Sequence, residues 1–133
     1  MAMGSLGNSN STIKVVIDTS ALITLCEGQD FFRAVEAEYG TVKYIIPTSV
    51  VHELKKLSLD NAKYARCYNL VQKIIERNNI SVIFTGDSKY ADADLLDMTA
   101  NLFVTNDMEL AKKLNSQNKK VFILKKNKYY DFY

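Results

Sequence analysis

Asp18, Glu53, the Asp92/Asp94 pair and Asp107 each stand where a short apolar run ends or a helix-like segment begins. Carboxylates are hard oxygen donors, and a cluster of them selects Mg2+ or Mn2+ over softer ions. An ion held that way lowers the pKa of bound water and neutralises charge on a phosphodiester. Thr19, Ser20, Thr105 and Asn106 lie directly beside these acids and are suited to orienting them by hydrogen bonds. Each acid also has a plainer explanation. Asp18 and Asp107 suit helix N-caps, Glu53 suits a surface pair with Lys55 or Lys56, and first-turn aspartates follow the helix dipole. Acids at all of these junctions together exceed what caps require.

The inventory of other reactive groups removes rival chemistries. His52 is the single histidine, which excludes paired-imidazole catalysis and makes a Ser-His-Asp triad a poor expectation. Neither GxxxxGK[ST] nor GxGxxG occurs, so nucleotide cradles of those kinds lack support. Cys26 and Cys67 sit apart in helix-like segments without CxxC spacing, so neither a zinc site nor a disulfide framework is expected, and a reducing cytoplasm fits.

The acids are positioned by an alternating pattern. Ile13 to Ile17, Val42 to Ile46, Ile80 to Phe84, Leu102 to Val104 and Val121 to Leu124 are short, β-branched or apolar runs of strand length. Helical periodicity covers Ser20 to Cys26, Asp30 to Tyr39, a segment capped by Thr48 or Ser49 through Leu57, Asn61 to Arg77, Lys89 to Asn101 and Met108 to Leu114. Gly40 stops the second helix, Pro47 closes the second strand, and Asn78-Asn79 breaks the fourth helix. Nearly uniform apolar strands between amphipathic helices predict a parallel sheet covered on both faces, with the strands' carboxyl ends as the open rim for chemistry.

Spacing along the helices orders the candidates. Val50, Leu54 and Leu57 share a face, Glu53 flanks that stripe and His52 points away. Asp92 and Asp94 project about 200° apart at 3.6 residues per turn. Helical geometry sets Asp92 between Leu95 and Leu96, Asp94 at the margin and Asp97 toward solvent, so Asp92 is the first choice and Asp94 the reserve.

At 133 residues and 47% hydrophobic, the chain suits one domain over residues 13–133. Residues 1–12, rich in Gly, Ser and Asn, suit a disordered tail or an expression remnant rather than a leader. No apolar run reaches the roughly 20 residues of a membrane span, and a soluble protein is expected. The net charge of +2 decides nothing about nucleic acid. Its distribution says more: Lys112, Lys113, Lys119, Lys120, Lys125, Lys126 and Lys128 crowd the last quarter. They suit a solvated face or, beside an acidic pocket, phosphate contacts. The terminal Tyr129, Tyr130, Phe132 and Tyr133 suit docking on the domain itself, with base stacking as the rival role.

The segments Val16 to Leu22, Ile46 to Leu54, Tyr90 to Leu96 and Val104 to Leu110 together resemble the PIN-domain family, over roughly residues 13 to 126. The resemblance implies a three-layer α/β/α fold with a central parallel sheet of about five strands. It also implies Mg2+- or Mn2+-dependent endoribonuclease activity, as in VapC-like toxins of toxin–antitoxin pairs and in ribosomal-RNA-processing enzymes. Asp18, Glu53 and Asp107 match the first, second and fourth acidic positions. The third falls on Asp92 or Asp94, because Ala91-Asp92-Ala93-Asp94-Leu95 departs from the Ala-Asp-Asp-Ala pattern of many relatives. Also implied are an RNA substrate, a homodimer, and an antitoxin or RNA-processing partner. Helices carrying Phe31, Phe32, Tyr64 and Tyr68 offer aromatic surface for the dimer, with burial in the core as the competing fate. The alternative is a catalytically weak PIN-like RNA- or protein-binding module.

Overall fold

The computed structural model describes residues 12–77, 80–85 and 91–129. The expected tail over residues 1–12 lies, apart from Thr12, outside the described residues. In chain order the elements are β1 (Ile13–Ile17), α1 (Thr19–Cys26), α2 (Phe32–Tyr39), β2 (Val42–Pro47), α3 (Thr48–Ser58) and α4 (Ala62–Arg77). They continue with β3 (Ile80–Ile83), α5 (Ala91–Asp97), β4 (Leu102–Thr105), α6 (Met108–Ser116), β5 (Val121–Ile123) and β6 (Lys128–Tyr129).

The strands form one sheet in the order β3-β2-β1-β4-β5-β6, parallel except for the antiparallel β5–β6 pair. The parallel part has the expected five strands, and β6 adds a sixth. That last pair forms because Leu124 starts a 3-10 turn and Asn127 takes a left-handed φ of 51°, which reverses the chain. Tyr129 thereby docks on the domain, its ring 5.1 Å from Phe122 and 6.4 Å from Tyr39. The other aromatic residues expected to dock, Tyr130 to Tyr133, lie outside the described residues.

The centre of the sheet is dry. Val15, Val16 and Ile17 of β1, and Leu102, Phe103 and Val104 of β4, are fully buried, as sheets covered on both faces require. Phe31 is also fully buried and stacks with Phe32 (4.5 Å) and Tyr44 (5.9 Å). Packing in the core thus claims Phe31, one of the aromatics that the sequence had offered to a dimer surface, and partly buries Phe32 against it.

Local boundaries move where a side chain finds a better tertiary partner. Helix α3 starts at Thr48, whose hydroxyl accepts the Thr85 backbone N–H (3.0 Å) instead of capping its own helix. Helix α5 ends at Asp97, although periodicity extends to Asn101. Asn101 takes the Lys14 backbone N–H on its side chain (2.9 Å) and donates its own N–H to the Lys14 carbonyl (3.0 Å). It thus extends the β1–β4 ladder, and those two bonds outcompete another helical turn.

The cysteines overturn a sequence expectation: Cys26 and Cys67 form a disulfide, with Cα atoms 5.5 Å apart, that ties the end of α1 to α4. Spacing along the chain gave no sign of it, because only the packing of α4 on α1 brings the two together. Paired in this way, Cys26 and Cys67 give no support to a reducing compartment. Among the described residues no helix is long and apolar enough to cross a membrane.

Candidate functional site

Strand order reverses between β1 and β4, and their neighbouring carboxyl ends open a crevice of the kind where doubly wound sheets bind ligands. Ile17 pairs with Val104, so the residues that follow, Asp18 and Thr105, meet across the crevice. The Asp18 backbone N–H bonds the Val104 carbonyl (3.0 Å), carrying the ladder one residue past the strand. Only 3% of Asp18 is exposed.

Asp18 occupies the N-cap position of α1, yet its side chain makes no cap hydrogen bond. Its Oδ2 instead accepts the hydroxyls of Thr105 (2.8 Å) and Ser20 (2.9 Å). Burial raises the Asp18 pKa. Those two hydroxyls and the Thr19 backbone amide work against the shift, and the Glu53 charge adds to it. Gripping one oxygen from two sides fixes the plane of the carboxylate.

A wider network supports that grip. The Asn106 backbone N–H donates to Ser20 Oγ (2.9 Å) and the Asp107 N–H to Thr105 Oγ1 (3.0 Å). The Asn106 amide donates to Thr24 Oγ1 (2.6 Å) and accepts the Lys125 N–H (2.7 Å). Ser20 and Thr105 thus contact Asp18 directly, and Asn106 contacts it through Ser20. Thr19 does so only through its backbone, since among the described residues its hydroxyl, though buried, has no hydrogen-bond partner. Thr24 was missed, although it lies four residues after Ser20 on the same helical face, a spacing that would have found it.

Asp107 acts in part as the plain reading predicts, its Oδ1 capping α6 through the Glu109 (3.0 Å) and Leu110 (3.2 Å) amides. Glu53 is exposed on α3. On α5 the helical projection errs: the buried stripe is Ala91, Asp94 and Leu95, with Asp94 8% exposed, while Asp92 is exposed. Asp92 nevertheless faces the other acids. Its carboxyl pKa is raised by partial burial and then by the charges of Asp18, Asp107 and Glu53, with Lys113 opposing. Carboxylates from four separate segments therefore act on one another at this rim. Among the described residues no three metal-binding side chains form a ready-made cation cage.

The donor set still fits a hard dication. It is all oxygen, and its members repel one another in a way that a cation would relieve. That repulsion predicts the effect of Asp92→Asn on the metal-free protein. A raised native pKa means the native state holds the proton more tightly than the unfolded chain. Stability is then greatest below the unfolded carboxylate pKa and falls as pH rises through the native value. Asp92→Asn removes the penalty and should stabilise the metal-free protein at neutral pH by about 0.5 kcal/mol after solvent screening. Thermal melts in chelator across pH should show this gain vanishing in acid, where both side chains are neutral.

The lysine-rich end is divided in role. Lys119 lies 5.4 Å from the Phe103 ring centroid, and Lys120 lies 5.2 Å from Tyr129 and 5.6 Å from Tyr39. Cation–π contact commits these two to the fold. Lys113, whose charge reaches Asp92, stands at the rim.

A family model described as a PIN like domain matches residues 15–127. Among solved structures, one described as the PIN domain endonuclease Utp24 is similar, with a TM-score of 0.63 and 22% identity over 81% of this chain and 82% of that one. At that identity the likeness carries the fold alone. No curated protein matches.

Proposed function

The chain belongs to the PIN-like domain family, and from that premise we propose that it is a Mg2+- or Mn2+-dependent endoribonuclease. The observation that carries the proposal is that Asp18, Asp107 and Glu53, from three other segments, stand close enough for their charges to act on Asp92 where the β1 and β4 strands end. Families of one fold differ in chemistry, so the function follows from this convergence of carboxylates at the sheet's switch point and not from the fold. The description of the similar solved structure as an endonuclease adds support.

In this proposal Asp18 and Asp92 hold the ion, with Glu53 and Asp107 beside them and Asp94 as the reserve for the third acidic position. When bound, the ion supplies an activated water and neutralises charge on the scissile phosphate. Thr105 and Ser20 hold Asp18 in a single orientation, so that little reorganisation is needed as substrate arrives. Lys113, whose charge acts on Asp92, is assigned to a phosphate of the RNA backbone in this reading. The homodimer, an antitoxin or RNA-processing partner, and a cytoplasmic setting are further parts of the proposal. The last must now accommodate the cystine.

Varied RNAs should be cut in Mn2+ or Mg2+, leaving internal fragments, and remain intact in chelator. The exposure of Glu53 favours one other reading, a catalytically weak RNA- or protein-binding module. Calorimetry separates the two: RNA affinity without Mn2+ binding or cleavage would establish the module and overturn the nuclease.

A further inference from the structure

The disulfide does not lie sealed in the core. A cavity of about 360 Å³ opens between α1 and α4, and both Cys26 and Cys67 line it, together with Lys63, Tyr64, Arg66 and Glu27. Its volume falls within the range of small-molecule sites. It sits at the C-terminal end of α1, the full length of that helix from Asp18, on the order of 12 Å at 1.5 Å per residue.

The two cysteines differ in exposure. Cys67 is 4% exposed and belongs to the core, whereas Cys26 is only partly buried. The charges differ from those of the carboxylate rim as well. Lys63 bonds Glu27 across the cavity at 2.7 Å. The Glu27 carboxyl is held below its usual pKa first by that hydrogen bond and charge, and more weakly by Lys125. Arg66 adds another cation to the wall. Lys63 and Lys125 act on the Glu27 carboxylate and Arg66 lines the same cavity, so cations outnumber the one lining carboxylate beside the disulfide.

We propose that this cavity is an exchange site for a small thiol that carries carboxylates. The incoming thiolate attacks Sγ of Cys26, the more exposed cysteine. An S–S bond forms between the thiol and Cys26 as the Cys26–Cys67 bond breaks, and the electron pair leaves on Cys67 Sγ, which takes up a proton. A second thiolate attacks the sulfur of the attached thiol and releases Cys26 as a thiolate. Two thiols are thereby oxidised to their disulfide, and the protein cystine is reduced to two cysteines. Lys63 and Arg66 favour the carboxylate-bearing thiol by charge. The exchange unties α1 from α4 at one end of α1, while Ser20 at the other end keeps its bond to Asp18.

Wild-type protein should be treated briefly with glutathione, and in parallel with N-acetylcysteine and its uncharged amide at equal thiolate concentration. Each reaction is quenched in acid and mapped by peptide mass spectrometry. The first adduct should appear on Cys26, and N-acetylcysteine should react about threefold or more faster than the amide at low salt, a preference that salt erodes. The exposed-site pair Lys63→Glu with Arg66→Glu should abolish or reverse that preference. A first adduct on Cys67, or equal rates for the two N-acetyl thiols on wild type, would overturn the proposal.

Discussion

Asp18→Asn is expected to lower metal-dependent RNA cleavage by at least about 100-fold while the fold and its melting temperature are retained. The two halves of this expectation have separate physical grounds. Asn keeps the shape of the side chain and an acceptor oxygen, so the hydroxyls of Thr105 and Ser20 remain satisfied. Burial already raises the Asp18 pKa, so a neutral replacement adds no desolvation cost. What the variant lacks is the negative charge at the centre of the acidic rim, where a dication would be held. Initial rates of RNA cleavage, paired with Mn2+ titration calorimetry, provide the measurement. Wild-type rates in the variant would show that the assigned pocket is not the catalytic one.

The second large effect concerns the cystine. Cys26 and Cys67 are 41 residues apart in sequence, and the link removes the freedom of that loop from the unfolded chain. On the chain-entropy account, loss of the link should destabilise the domain by about 4 kcal/mol. That corresponds to a fall in melting temperature on the order of 10 °C for a domain of this size. Thermal melts of wild type with and without reductant, compared with the Cys26→Ser, Cys67→Ser double variant, check it. The variant should melt where reduced wild type does and ignore the reductant. A fall of less than about 1 kcal/mol would mean that packing alone holds α1 to α4.

These two expectations differ in how far the sequence leads to them. The crevice is legible because β1 is apolar except for Lys14, β4 is apolar up to Thr105, and an acid follows each, directly for Asp18 and after Asn106 for Asp107. Parallel strands send every such junction to the same rim. Asp92 and Asp94 were harder to place. A helical projection locates the stripe from neighbouring apolar residues, and α5 has only Leu95 and Leu96 to guide it. The small Ala91 proved to be the third buried position, which rotated the stripe onto Asp94 and turned Asp92 toward the other acids. Periodicity also overran the end of α5, because the bonds between Asn101 and Lys14 join residues 87 positions apart.

Patterns with a short period were thus determined by the sequence alone: the alternation of strand and helix, the parallel sheet, and the acids and hydroxyls at its carboxyl rim. Each depends on side chains a few residues apart, whose burial or exposure follows from type and spacing. Only the tertiary structure decided that α5 buries Asp94 and exposes Asp92, which hydroxyls grip Asp18, that Lys119 and Lys120 contact aromatic rings, and that Cys26 meets Cys67. Those outcomes depend on the packing of segments distant in the chain, where a rotation of one helix or a single competing hydrogen bond changes the partner. No local pattern encodes such a choice.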